Sequence, residues 1–439
     1  MTPRFATIAP TAAELQDGVL PLGPLRGGRW LDESETLRID VPTDGGEGDG
    51  GERTLEAALS GDGPLFGESA QSAALADWYR EVGLTADAGI ADAGIAGGGL
   101  LIRRIGRGRV RVSPLGGPFQ FIDLFAGIGG FRLGFEAAGG ECAFSSEIDA
   151  DACDTYEANF GDRPHGDITQ ISAADVPEHD ILLGGFPCQA FSIIGKRRGF
   201  EDTRGTLFFD VARILKERRP AAAVLENVKQ FRTHDGGRTC ATVVKTLEDL
   251  GYTTHVTVLN ALDYGVAQRR ERTFIVALRD EPKTPFRWPA PYPERADLAE
   301  ILEPDEAVPT KLWGTDYIRA KRLARLREQG KEPVRPSIWH ENKGGHIGQH
   351  PYSCALRANA SHSYLLVNGE RRPTGRELLR LQGFPDDFRI AVSHRALRKQ
   401  CGNSVAVPVI AEVAAAVRRV MAFSYQPGAQ APAVGRLTP

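Results

Sequence analysis

The sequence predicts an α/β protein built around a mostly parallel sheet. Three observations carry that expectation. From Phe119 onward, short apolar strand-like runs alternate with helix-period segments. The first such pair is joined by a glycine turn, DLFAGIGGF. The composition, 41% hydrophobic and 25% charged over 439 residues, is that of a folded soluble protein rather than a disordered, collagen-like or coiled-coil chain. Alternation of this kind feeds parallel strands through helical crossovers.

The strand-like runs are FQFIDLFA, CAFSSEI, DILLGGFP, AAAVLENV, YTTHVTVLNA and RTFIVAL. Between them lie the helical segments FRLGFEAAG, ADACDTYEANF, TLFFDVARILKERR and CATVVKTLEDLG, the last stopped by Gly251. The pattern divides the chain into a main domain over 118–303, a smaller irregular domain over 304–372 and a returning segment over 373–425. The irregular part carries prolines and scattered aromatics such as Trp313, Trp339, Tyr352 and Tyr364. Regularity returns at GRELLRLQGFPDDF, and Gly402–Val420 reads as one apolar helix that packs back on the main domain. Residues 426–439, rich in Pro and Gly, are expected to be disordered.

Residues 1–117 form an arm outside this scheme. It is rich in Gly and Ala and contains a direct repeat, ADAGI at 86–90 and again at 91–95. Leu75–Leu84 reads as a short helix and Leu100–Pro114 as one or two strands. Nothing else there has helical or strand periodicity, so the arm is expected to be partly flexible.

Six cysteines with no CxxC pair are too sparse for a disulfide framework, so reduced thiols are expected. The N-terminus lacks an apolar signal region, and the most apolar stretch, Val405–Val417, is broken by Pro408 and Glu412, so a cytosolic protein without a membrane span is expected. Net charge is −4, unevenly spread. Residues 1–100 hold 6 Arg, no Lys and 17 acids, whereas residues 311–372 hold 12 basic residues against 5 acids. The basic block suits a polyanion, and it equally suits a solvated Arg-bearing helix over Arg319–Arg327.

In DLFAGIGGF, glycines at 127, 129 and 130 let the backbone approach a ligand at the carboxyl edge of the sheet. Glu147 stands about 20 residues on, after the next strand, where a carboxylate accepts hydrogen bonds from a ribose. Asp167 is placed at the end of a possible third strand. Together they suggest a nucleoside-containing cofactor; a plain tight turn with two surface acids fits them as well. GGFPCQAFS puts Cys188 at the same edge, as a nucleophile or as an inert core thiol. AAAVLENV ends in Glu226–Asn227, and in QRRER the alternation of a strand sets Arg270 and Arg272 on one face. His346, His350 and Cys354 have metal-ligand chemistry, but their glycines and the lack of a fourth ligand favour a polar loop.

In order and spacing, DLFAGIGGF, GFPCQAFS, ENV, QRRER, RELLRLQGFPDDF and GNSVAVPV resemble the signature motifs of bacterial DNA (cytosine-5)-methyltransferases of restriction–modification type. The resemblance covers residues 119 to about 420. It implies a Rossmann-like methyltransferase domain, a target-recognition domain and S-adenosylmethionine as methyl donor, with no metal. Cys188 would attack carbon 6 of a flipped cytosine, Glu226 would act at ring nitrogen N3, and Arg270 and Arg272 would hold the base. Phe125, Gly127 and Gly129 would face the cofactor, Glu147 its ribose, Ile148 its adenine ring and Asp167 the adenine amino group. Pro187, Asn403 and Ser404 would complete the methionine side, and Gln189, Ser192 and Asn227 would touch substrate. Residues 192–206 resemble a loop that closes over the base. The implied partners are double-stranded DNA and a cognate endonuclease, for a monomeric cytoplasmic enzyme. A tRNA cytosine methyltransferase shares these motifs, and a DNA-binding regulator acting through the arm is the non-enzymatic alternative.

Overall fold

A computed structural model of the chain describes residues 5–8, 36–42, 52–58, 100–106, 109–114, 119–187, 207–279, 285–342, 344–361 and 364–424. The suggested helix at Leu75–Leu84, the residues from 188 to 206 and the C-terminal tail lie outside them.

Five strands precede the main domain: β1 (Phe5–Ile8), β2 (Thr36–Pro42), β3 (Glu52–Ala58), β4 (Leu100–Gly106) and β5 (Arg109–Pro114). They form one sheet in the order β1-β4-β5-β2-β3. The expected one or two strands at Leu100–Pro114 are thus two, an antiparallel pair with a register shift between Arg104 and Gly106. β1, β2 and β3 are further strands, which the absence of long periodicity in the arm does not announce. Strands of four to seven residues are held by cross-strand pairing, so periodicity along one strand is a weak guide to them.

The main sheet follows the sequence reading closely. Its strands are β6 (Phe119–Leu124), β7 (Gly140–Ser146), β8 (Ile181–Gly184), β9 (Ala222–Val228), β10 (Thr253–Asn260) and, after the two-residue β11 (Gln268–Arg269), β12 (Glu271–Leu278). The intervening helices are α1 (Gly130–Ala137), α2 (Ala150–Phe160), α3 (Leu207–Arg218) and α4 (Arg238–Asp249). The order is β10-β12-β9-β8-β6-β7. All are parallel except β12, which runs against both neighbours. Two consequences position the site. The chain leaves β6 for β7 on one side and returns to β8 on the other, which opens a crevice at the carboxyl ends of these strands. The reversed β12 brings its start, next to Arg270 and Arg272, to that same edge.

Both faces of the sheet are buried, which is why its strands read as nearly continuous apolar runs. Phe121, Ile181, Leu183 and Val224 pack on one side with Phe131 and Phe135 of α1. Ile122, Leu182 and Leu225 pack on the other with Phe208, Val211 and Leu247 of α3 and α4.

Beyond the sheet come α5 (Asp316–Glu328), β13 (Ile338–Glu341), β14 (Ile347–His350), β15 (Ser353–Cys354), β16 (Leu366–Val367), α6 (Gly375–Arg380), α7 (His394–Asn403) and α8 (Val407–Ser424). β13 is central in a three-stranded antiparallel sheet with β14 and β16. The basic helix α5 is not wholly solvated. Arg322 and Leu326 turn inward, and Glu341 pairs with Arg322 and Arg325. One apolar cluster runs from Ile338, Leu356 and Val367 through Leu378 and Leu397 to Ile128 and Ala152, so residues 304–372 share a core with the chain before and after them.

The single helix expected over Gly402–Val420 is two helices. α7 ends at Asn403, Ser404 is extended, and α8 begins at Val407. Pro408 sits in the first turn of α8, where a missing N–H costs nothing. α8 packs on the α1 side of the sheet as expected, with Val409, Ile410, Val413 and Val417 in that core.

Candidate active site

A cavity of about 380 Å³ opens at the carboxyl edge of the sheet, within the usual range for ligand pockets. Its walls include Phe125, Gly127, Glu147, Ile148, Asp167, Pro187, Glu226, Asn227, Arg270, Arg272 and Asn403. Eleven positions singled out from the sequence therefore meet in one place. Cys188, Gln189 and Ser192 lie outside the described residues; Pro187, the residue before Cys188, is in the wall.

The turn after β6 is shaped for close approach. Phe125 and Gly127 have φ of 60° and 57°, a region costly for a side-chain-bearing residue and easy for glycine. The Gly127 N–H donates to Oε2 of Glu147 at 2.8 Å. The other oxygen of Glu147 accepts from the N–H groups of Ile148 and Asp149 at 2.9 and 2.8 Å. Three backbone donors hold this carboxylate at the cavity wall in one orientation. Beside it Ile148 is 73% exposed, an apolar surface turned out at a ligand cavity. A fixed carboxylate next to an uncovered aliphatic face fits a ribose and an adenine ring, and so fits a nucleoside cofactor.

Two expected cofactor positions fall off the wall. A Cβ on Gly129 would lie 2.2 Å from the Phe160 ring, so this glycine serves the packing of α1 on α2. Ser404 is buried, and its carbonyl accepts from Arg270. Asp167 is in the wall, but it does not end a strand. Only a single bridge, Ser146 with His165, precedes it, and its side chain caps the short turn Ile168–Gln170 through a 2.9 Å bond from the Thr169 N–H.

The part of the wall formed by Glu226 and Arg272 is charged and largely buried. Nε of Arg272 lies 2.9 Å from Oε1 of Glu226, with side chains 17% and 11% exposed. In the β9–β12 register Arg272 faces Val228, which sets it diagonal to Glu226 on the same side of the sheet. Burial pushes the Glu226 carboxyl above its ordinary range, against the pull of Arg272 and Arg270. Asn227 donates to the Phe186 carbonyl at 2.9 Å and accepts from the Val228 N–H. It thereby pins the segment that leads into Pro187 and Cys188.

Arg270 shares the wall with Arg272, and its contacts differ. It is 3% exposed, and its guanidinium donates to the carbonyl of Leu356 at 3.0 Å, of Gly402 at 3.2 Å and of Ser404. It staples the strand edge to the segment around Leu356 and to the end of α7. Sequence reasoning missed the bracket beneath it. Gln268 accepts from the Leu356 N–H at 2.8 Å and donates to the Leu381 carbonyl at 2.6 Å, and Gln382 reaches the Cys401 carbonyl. It also missed Lys399, which pairs with Asp149 across the cavity. A glutamine or lysine with distant partners leaves no local signal.

Among the described residues no three His, Cys, Asp or Glu side chains gather as a metal site. His350 instead stacks on Tyr352 at 5.2 Å.

Comparison with known proteins decides what this geometry belongs to. A family model described as C-5 cytosine-specific DNA methylase matches residues 119–419. The chain belongs to that family. This methylase is 56% identical over 292 residues to the type II methyltransferase M.NgoBI of Neisseria gonorrhoeae, covering 66% of this chain and 90% of that protein. It is 52% identical over 296 residues to M.HaeII of Haemophilus aegyptius, covering 67% and 92%. Among solved structures, that of DNMT2 from Spodoptera frugiperda superposes with a TM-score of 0.53 at 20% identity, over 69% of this chain and 99% of that one, a likeness of fold. The methylase also extends before the matched region by the strands β1 to β5. Among the described residues no helix is long and apolar enough to cross a membrane.

Proposed function

We propose that the methylase transfers a methyl group from S-adenosylmethionine to carbon 5 of a cytosine flipped out of duplex DNA, within a short specific sequence. We further propose that it acts as a monomer in the cytoplasm and protects that sequence from a cognate endonuclease. The names of M.NgoBI and M.HaeII as type II methyltransferases support the pairing.

The observation that carries the reading is the convergence of two chemistries in one cavity. At one end stands the carboxylate of Glu147 with Ile148; at the other stands the Glu226–Arg272 pair, beside the residue that precedes Cys188. The target carbon is unreachable inside a stacked duplex, so the base must leave it. The thiolate of Cys188 adds to carbon 6, forming an S–C bond and pushing electron density toward N3 and carbon 5. Glu226, whose proton affinity burial raises, donates to N3 and drains that charge. Arg272 holds the carboxyl in place and opposes the upward push of burial on its proton affinity. S-adenosylmethionine, when bound, supplies an electrophilic methyl group to the carbon 5 nucleophile. Loss of the carbon 5 proton to solvent, with return of the N3 proton to Glu226, then breaks the carbon 6–sulfur bond and releases the Cys188 thiolate. Phe125, Gly127, Glu147, Ile148, Asp167, Pro187 and Asn403 would hold the cofactor. Asn227 acts on the substrate side by fixing the segment that carries Cys188. Gln189 and Ser192 are assigned to substrate contact on their place in the motif alone.

The test is expression in a host lacking cytosine methylation, followed by conversion sequencing of its genomic DNA. Protection of one cytosine in one recurrent motif is expected. Complete conversion everywhere, with folded protein present, would overturn the reading.

A further inference from the structure

We propose that the groove between α7 and residues 357–361 binds a phosphodiester of the DNA strand that carries the target cytosine, with Arg395 and Arg398 as its cationic ligands. The proposal rests on duplex DNA as the substrate and adds a site distinct from the reactive cavity.

The groove is lined by Asp151, Ala358, Asn359, Ala360, Ser393, Arg395, Ala396, Arg398 and Lys399. Its walls are mostly small or polar, which suits a charged, hydrated group better than an apolar one. Arg395, Arg398 and Lys399 are spaced i, i+3, i+4 on α7 and so share one stripe of the helix, which Gly402 continues at i+7. Lys399 is neutralised by Asp149, and Asp151 is the acid in the lining. Arg372 and Lys311 add further positive charge close by, enough that they and Arg398 help hold the partly buried His394 below its ordinary range after burial itself.

The groove is a fixed surface. A Cβ at Gly402 would fall 2.2 Å from the Ala358 nitrogen, so α7 and the 357–358 backbone are in direct contact there. Arg398 donates to the Ser361 carbonyl at 3.3 Å and closes the other end. A guanidinium has five donors, so it can hold this carbonyl and a phosphate oxygen together. The same stripe ends at Gly402 and Asn403 in the wall of the reactive cavity. At about 1.5 Å rise per residue, Arg395 lies roughly 12 Å along the helix from Asn403, on the order of three to four base-pair steps. A phosphate held here would therefore flank the flipped nucleotide and fix its strand against the cavity mouth.

The experiment measures duplex binding by full-length wild-type protein and Arg395→Gln across a salt series, on a duplex containing the motif found by conversion sequencing. A set of duplexes with one neutral methylphosphonate at successive positions is measured alongside. Arg395 is exposed and outside the cofactor wall, so S-adenosylmethionine binding by calorimetry should be unchanged. The slope of log Kd against log salt should become shallower by about 0.9 in the variant, the loss of one phosphate contact. One methylphosphonate, within about four nucleotides of the target, should weaken the wild type roughly tenfold and the variant less than about twofold. Equal slopes with identical methylphosphonate profiles would overturn the proposal, as would a variant that loses cofactor binding as well. A wild-type protein with no salt-dependent duplex affinity would defeat the substrate reading itself, and the proposal with it.

Discussion

Arg272 and Glu226 form a largely buried ion pair 2.9 Å long in the cavity wall, on adjacent antiparallel strands. Two opposing influences meet in it. Burial raises the affinity of Glu226 for a proton, and the guanidinium lowers it. The balance sets the pH at which the acid stops donating.

Arg272→Ala removes the larger of the two cationic influences on Glu226, so the carboxyl should hold its proton to higher pH. The alkaline limb of the kcat/KM profile, measured on motif-bearing duplex, is expected to move to higher pH even though the rate falls overall. A limb that stays put would show that a different group sets it.

Glu226→Gln keeps the shape and loses the transferable proton. Single-turnover rates should fall by about 10²-fold or more, with cofactor affinity within a factor of about three. Near-wild-type rates would reassign the acid.

Arg270→Ala should act on stability more than on chemistry. It removes the guanidinium donor from three buried carbonyls on two segments, Leu356 and the Gly402–Ser404 end of α7, a loss of about 3 kcal/mol in urea unfolding. An unchanged midpoint would show that the staple is dispensable.

Asp123 is fully buried, and neither carboxyl oxygen has a hydrogen-bond partner. Burial pushes its pKa up to about 8, against the pull of Arg132. The folded state therefore holds a proton that the unfolded chain releases near pH 4, so stability is fullest below that pH and declines as pH rises toward 8. Asp123→Asn cannot ionise. Its melting temperature relative to wild type should increase across pH 4 to 8 and level off above; a constant difference would place the titration elsewhere.

How far the sequence discloses this molecule follows from where each signal resides. Strands such as Phe119–Leu124 and Ala222–Val228 are buried on both faces, so their apolar runs are visible in the chain itself. Glu147, Glu226 and Arg272 were legible because each stands at a strand end next to a recognisable motif. Asp167 was misplaced because a lone bridge and a capped turn give no periodicity. The division of Gly402–Val420 turns on an extended Ser404 inside an apolar stretch, which composition hides. Arg270 was found, but its contacts were not: the Leu356 carbonyl is 86 residues away and that of Ser404 is 134. Gln268 and Gln382 escaped for the same reason, being 114 residues apart.

The most direct measurement is covalent capture on a motif-bearing duplex whose target base is 5-fluorocytosine, with S-adenosylmethionine present. Fluorine replaces the proton that must leave carbon 5, so elimination of the thiolate is blocked and the enzyme stays attached to the methylated base. Intact mass should equal protein plus the modified strand plus one methyl group less the thiol hydrogen, peptide mapping should place the link on Cys188, and Cys188→Ser should give none. An adduct on another residue, or methylation of ordinary cytosine by Cys188→Ser at the wild-type rate, would contradict the mechanism.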